Sequence, residues 1–146
     1  MVMMVGVQTH VIGTKASLSK IRALIRAELI RAGVRPSGAF DCLVAITEAA
    51  TIALINFKSA GSDIPRPRVG WEIDFETARF YLEDFSARDW HKIDGTPEFQ
   101  KLHESLHELG VDHPGMTALE GLMDVVEIDL DLEKGFTRVL LVKKLR

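Results

Sequence analysis

The sequence predicts an α+β fold: a two-layer α/β sandwich in which a mixed, mostly antiparallel sheet carries helices on one face. Three observations lead there. The chain has 146 residues, the size of one domain with one core. Two strongly helical runs stand next to each other early in the sequence. Most of the strand-like runs then come as adjacent pairs joined by short turns, and adjacent hairpins build antiparallel ladders.

Taken in order, residues 7–13 (VQTHVIG) favour a first strand. Ser17 then precedes a run in which Leu18, Ile21, Leu24, Ile25 and Leu29 recur at helical spacing. Ser17 suits an N-cap, Arg31 sits in the last turn, and Gly33 can close the helix. A second helix is expected from Ala39 to about Lys58, apolar on nearly every side, as in a helix buried against a sheet. Its polar members, Asp41, Thr47, Glu48, Thr51 and Asn56, therefore need explaining. Gly61, Pro65 and Pro67 mark a loop. Strands follow at Val69–Phe75 and Thr77–Glu83, with a tight connection near Asp74–Glu76. Residues 85–114 lack strand periodicity and hold one short helix, Pro97–Leu109, with Pro97 at its first position. The chain closes with a helix (Met116–Met123), a strand (Val125–Leu132), a Lys134-Gly135 turn and a strand (Phe136–Leu145). No repeat, low-complexity tract or linker divides residues 1–146, which are read as one domain.

Composition narrows the function. Hydrophobic residues make up 47% and charged residues 27%, as in an ordinary globular protein. The net charge of −3 gives no electrostatic reason for nucleic-acid binding. A single cysteine, Cys42, rules out an internal disulfide and suits a reducing, cytoplasmic setting. Its apolar surroundings favour a buried structural thiol. The first residues, MVMMVGVQTHVIGT, lack a basic n-region and an unbroken apolar run, so neither a signal peptide nor a membrane span is expected there.

Five segments in order, ASLSKIRALIRAEL, AITEAATIALINF, FYLEDFSAR, GMTALEGLMDVVEI and GFTRVLLVKKL, resemble the GHKL (histidine kinase-like) ATPase superfamily, specifically its anti-sigma factor serine kinase branch. The resemblance covers nearly the whole chain, with residues 85–114 as the nucleotide lid. It implies a Bergerat-type ATP-binding fold, ATP with Mg²⁺ as cofactor, and serine/threonine kinase activity. Its implied partners are a sigma factor or an anti-sigma antagonist, with a homodimer as the assembly. Carried across, the general base is Glu48, placed to orient a hydroxyl or water toward a γ-phosphate. The adenine-reading carboxylate is Asp84. The implied nucleotide-binding positions are Glu48, Ile52, Asp84, Ser86, Arg88, Gly115, Met116 and Thr137. If the alignment holds, Glu48 and Asp84 line one concave pocket. Read without the resemblance, Glu48 is a solvated carboxylate at a helix edge and Asp84 a surface residue ending a strand.

Several positions depart from that pattern. Where the family uses Asn to hold Mg²⁺, Ile52 has no oxygen for a hard cation. Ser86 and Arg88 replace glycines that would let backbone approach the base. Gly115 remains on the phosphate side, but its partner position is His113, and Pro114 between them has no N–H to give. The expectation is a GHKL-like regulator with a degenerate ATP site, acting by binding protein partners.

A second motif competes. His103, Glu104, His107, Gly110 and His113 satisfy HExxHxxGxxH, the pattern of zinc proteases. Two histidines four apart share a helix face, a third completes the ligand set, and Glu104 would activate a zinc-bound water. The alternative reading is thus a zinc-dependent metallohydrolase using His103, His107 and His113. Against it, few residues follow His113, and the buried stripe Phe99, Leu102, Leu106 and Leu109 accounts for an ordinary amphipathic helix. Trp71 reads as sheet packing. Trp90 and His91 fall in the lid stretch, where a Trp, if exposed, would mark a partner surface.

Overall fold

The computed structural model describes residues 8–61, 63–86, 88–90, 97, 100, 101, 104, 116–131 and 133–145. They form an α+β architecture of five strands and three helices: β1 (Thr9–Val11), α1 (Lys15–Arg31), α2 (Pro36–Ala60), β2 (Arg68–Ile73), β3 (Thr77–Asp84), α3 (Met116–Leu122), β4 (Val125–Asp131) and β5 (Phe136–Lys144). The strands make one open sheet in the order β1-β2-β3-β5-β4. Every pairing is antiparallel, so the expected mixed sheet is not found among the described residues. Each sequence neighbour pairs with its neighbour, except that β3 pairs with β5 and leaves β4 at the edge.

Helix boundaries follow local chemistry. α1 starts two residues before Ser17, because Thr14 is the N-cap: its hydroxyl accepts the Ser17 N–H at 3.1 Å, and Ser17 Oγ accepts the Thr14 N–H at 3.0 Å. The expected cap is thus the third helical residue of a capping box. At the other end Gly33, at φ +76, donates to the Ile30 carbonyl, and Val34 donates to Leu29, which is a Schellman closure. The buried stripe of α1 is Leu18, Ile21, Ile25 and Leu29; Leu24 falls outside it, 39% exposed. α2 begins three residues earlier than expected because Pro36, with φ preset, serves as its first residue.

Strand parity decides which side chains meet the helices. Phe80 on β3 lies opposite Trp71 on β2 and Leu141 on β5, and Leu82 lies opposite Val69 and Val139. Trp71 donates its indole N–H to Glu28 of α1 and stacks on His10 of β1 at 4.7 Å. Lys143, opposite Ala78 on this same row, reaches Asp41 of α2 at 3.2 Å and the Leu122 carbonyl of α3 at 2.9 Å. All three helices therefore make their contacts on one side of the sheet. The core there joins Ile12, Ile21, Ile25, Leu29, Ile46, Ile52, Phe80, Leu82, Leu119 and Leu141.

α2 is 25 residues long and apolar enough, at mean hydropathy 1.7, to cross a membrane by composition alone. Here its apolar surface is spent on α1, α3 and β3. Its polar residues are explained one by one. Thr47 and Thr51 donate to the carbonyls of Leu43 and Thr47 one turn back, at 2.6 and 2.7 Å. Asp41 pairs with Lys143 near the start, while Glu48 and Asn56 are buried.

Candidate functional site

Four polar side chains are buried among the described residues: Glu48, Asn56, Asp84 and Thr137. Glu48 and Asn56 lie eight residues apart on α2, with Ile52 between them on the same face, so about 12 Å separates them along the axis. Asp84 is the last residue of β3, on the helix-facing row that also holds Ala78, Phe80 and Leu82. Thr137 on β5 is its direct cross-strand partner.

Asp84 is the hub. Its Oδ2 accepts the Asn56 amide at 3.0 Å and the Trp90 indole N–H at 2.7 Å. Its Oδ1 accepts the Ser86 backbone N–H at 2.9 Å, and Ser86 Oγ accepts the Arg88 N–H at 3.3 Å. Asp84 is 1% exposed and is not the surface strand end that the bare sequence allows. Its burial is tolerated because three donors surround it. Thr137 is treated differently. Its hydroxyl is as deeply buried yet has no hydrogen-bond partner among the described residues.

The other expected site residues are placed as follows. Glu48 is fully buried, so it is not a solvated edge carboxylate. Ile52 is fully buried within the core and presents only carbon. Asp84 and Asn56 are in direct contact, while Glu48 stands about two turns back along α2. Gly115 lies outside the described residues, and Met116 opens α3. Of the zinc motif, His103, His107, Gly110 and His113 lie outside the described residues; Glu104 is helical and exposed, as are Pro97, Gln100 and Lys101. Among the described residues no group of three His, Cys, Asp or Glu could hold a metal ion.

Trp90 settles an alternative. In the lid stretch an exposed Trp would have marked a partner surface, but Trp90 is 1% exposed and belongs to the core cluster. The reason is Asp84: an indole is buried comfortably only when its N–H finds an acceptor, and the carboxyl supplies one. Asn56 and Trp90 are the two contributors that sequence reasoning did not assign to the site. A signal existed for Asn56, a lone amide two turns beyond Glu48 on an apolar helix.

Three clefts among the described residues lie elsewhere. One of about 580 Å³ opens between Ala32–Arg35, Phe75, Lys144 and Leu145. Two more border the C-terminal half of α1, beside His10 and Trp71 and beside Ile73–Phe75. Glu48 and Asp84 line none of the three, so no open pocket joining them is seen among these clefts. The α1–α2 turn is flanked by exposed apolar side chains: Ile30 is 64%, Phe40 51% and Phe75 59% exposed. Cys42 is fully buried, and burial pushes its thiol up to about 12 against a smaller opposing pull from Lys143, which makes it a poor nucleophile. No protein-family model matches the chain, and no curated protein matches it.

Proposed function

We propose that the chain is an anti-sigma factor/serine-protein-kinase-like regulator on a GHKL-type fold, working by holding a protein partner rather than by phosphoryl transfer. The observation that carries the reading is the state of Asp84. The carboxyl aligned with adenine recognition is buried and engaged by Asn56, Trp90 and Ser86 of its own chain. One turn beyond Glu48, where a Mg²⁺ ligand would be needed, Ile52 is sealed in the core. The coarse architecture, an α+β fold with the described helices on one side of a sheet, supports the reading, although the sheet is wholly antiparallel rather than mixed. For a partner, the exposed Phe75 in the 580 Å³ cleft offers an apolar anchor with Arg35 and Lys144 beside it, and Ile30 and Phe40 are further exposed apolar side chains on α1 and α2. The partner class is a sigma factor or its antagonist, and the setting cytoplasmic.

The test pairs two measurements on the full chain. Calorimetric titration with ATP, with and without Mg²⁺, should show weak or undetectable binding that Mg²⁺ does not change. Mixing with purified bacterial sigma factors and anti-sigma antagonists, read by light scattering after size exclusion, should give a discrete complex without nucleotide. Transfer of phosphate from ATP to an antagonist serine would overturn the reading, as would the absence of any complex across the panel.

A further inference from the structure

We propose that the furrow along the C-terminal half of α1 is a docking site for an acidic segment of a protein partner that carries apolar anchor side chains. The proposal rests on the functional reading above in one respect, that the chain holds a protein partner. It adds which face does the holding and which chemistry that face selects. The three clefts share their walls. Glu28 and Arg31 line both the cleft beside His10 and Trp71 and the cleft beside Ile73 and Asp74. Ala32 and Phe75 line both that second cleft and the one of about 580 Å³. Together they make one furrow between α1 and the β2–β3 hairpin. It follows the helix from Leu24 to Arg31, about 10 Å, and continues past the turn to Arg35 and Leu145. That is room for a segment of several residues rather than for a single side chain.

Charge says what fills it. The chain as a whole carries a net charge of −3, yet the widest cleft has Arg35 and Lys144 on its wall and no carboxylate among its described lining residues. Arg31, Arg35 and Lys144 are all exposed, and none makes an ion pair among the described residues. The two carboxylates further along the furrow are engaged within the chain. Glu28 accepts the Trp71 indole N–H, and Asp74 Oδ1 accepts the backbone N–H groups of Glu76 and Thr77, each at 2.8 Å. A partner carboxylate facing Arg35 and Lys144 would therefore gain charge-assisted hydrogen bonds without breaking an existing pair. Between these cations the walls are apolar. Phe75 is 59% and Leu24 39% exposed, with Val34 and Leu145 half-buried beside them. Apolar side chains rimmed by charge of one sign select a segment that is apolar and of the other sign. A nucleic-acid backbone fits less well, because it would gain little from apolar walls and would meet a chain of its own sign.

The experiment measures fluorescence anisotropy of labelled peptides of about ten residues with the full-length protein. One peptide alternates Asp or Glu with Leu or Phe, a second has Lys in place of the carboxylates, and a third has Ser in place of the apolar residues. The first should bind at roughly tens of micromolar, and the other two at least about tenfold more weakly. Arg35→Glu combined with Lys144→Glu should weaken the first peptide about tenfold or more and strengthen the Lys peptide. Phe75→Ser should weaken the first peptide several-fold. Lys20→Glu, on the first half of α1 and outside the furrow, should change neither. The substituted side chains are exposed, so thermal midpoints should move little. No binding of the acidic peptide, equal binding by the charge-reversed variant, or tighter binding of a single-stranded oligonucleotide would overturn the proposal. The functional reading fails separately: the acidic peptide would then bind while no sigma factor or antagonist forms a complex. A complex with one of those proteins that persists unchanged in the charge-reversed variant would instead remove the furrow and leave the functional reading standing.

Discussion

α2 is fastened to the sheet near both ends, and the two fastenings use opposite chemistry. Near its start, Asp41 meets Lys143, which stands opposite Ala78 at the beginning of β3; the two side chains are 32% and 20% exposed. Near its finish, Asn56 meets Asp84 at the end of β3, both nearly inaccessible to water. The fastenings are about 22 Å apart along the helix and about 20 Å apart along the strand, so α2 lies along β3 with matched length. A water-washed ion pair contributes little, whereas a buried carboxyl depends on each of its donors. The first end is a clamp. The second keeps a carboxyl inside the core, where it depends on three donors.

The largest effect should come from breaking the buried end. Asp84→Ala strands the Asn56 amide, the Trp90 indole and the Ser86 N–H together, and should lower stability by roughly 3–5 kcal/mol in urea unfolding. Lys143→Met at the other end should lower it by about 1 kcal/mol or less, a loss that shrinks in molar salt. Equal losses at the two ends would remove the contrast between clamp and site.

Most of the scaffold was legible because it is written in periodicity. The stripe on α1, the apolar run of α2 and the paired strands all follow from spacing, and so does the antiparallel character of the sheet. Boundaries were less legible where two residues compete for one role: Thr14 and Ser17 both carry capping hydroxyls, and the box uses both. The burial of Asp84 was within reach. Continuing the β3 alternation one residue past Glu83 places it on the row of Phe80 and Leu82. Trp90 was not within reach. It follows β3 in a run without periodicity, and its inward turn is set by an acceptor six residues away. Leu24 was misplaced for the converse reason, since spacing alone widens the α1 stripe beyond what α2 and the sheet cover.

A second experiment asks whether the wet clamp sits on a dry interior. Cys42 is one residue past Asp41, and burial raises its thiol from 9.0 to about 12. The folded state thus keeps its proton where the unfolded chain would release it. That contribution to stability is fully present below about pH 9 and is lost as pH rises toward 12. Between about pH 9 and pH 11 the unsubstituted protein should lose about 2 kcal/mol more than Cys42→Ala, judged by urea midpoints at each pH. Parallel curves would mean that water reaches the thiol and that the interior at this end is as open as its ion pair.

The smallest expected effect has the opposite sign and speaks most directly to the buried end. Thr137 and Val have nearly the same shape, and the Thr137 hydroxyl is enclosed without a hydrogen-bond partner among the described residues. Thr137→Val removes an unmatched polar group and leaves the packing alone, so it should stabilise the chain by about 1 kcal/mol. Such a gain would mark Thr137, opposite Asp84, as a residue that folding does not require. A loss of stability in Thr137→Val would show instead that the hydroxyl is satisfied in solution, by a water or a shifted side chain. Asp84 and Thr137 would then be a self-contained structural pair.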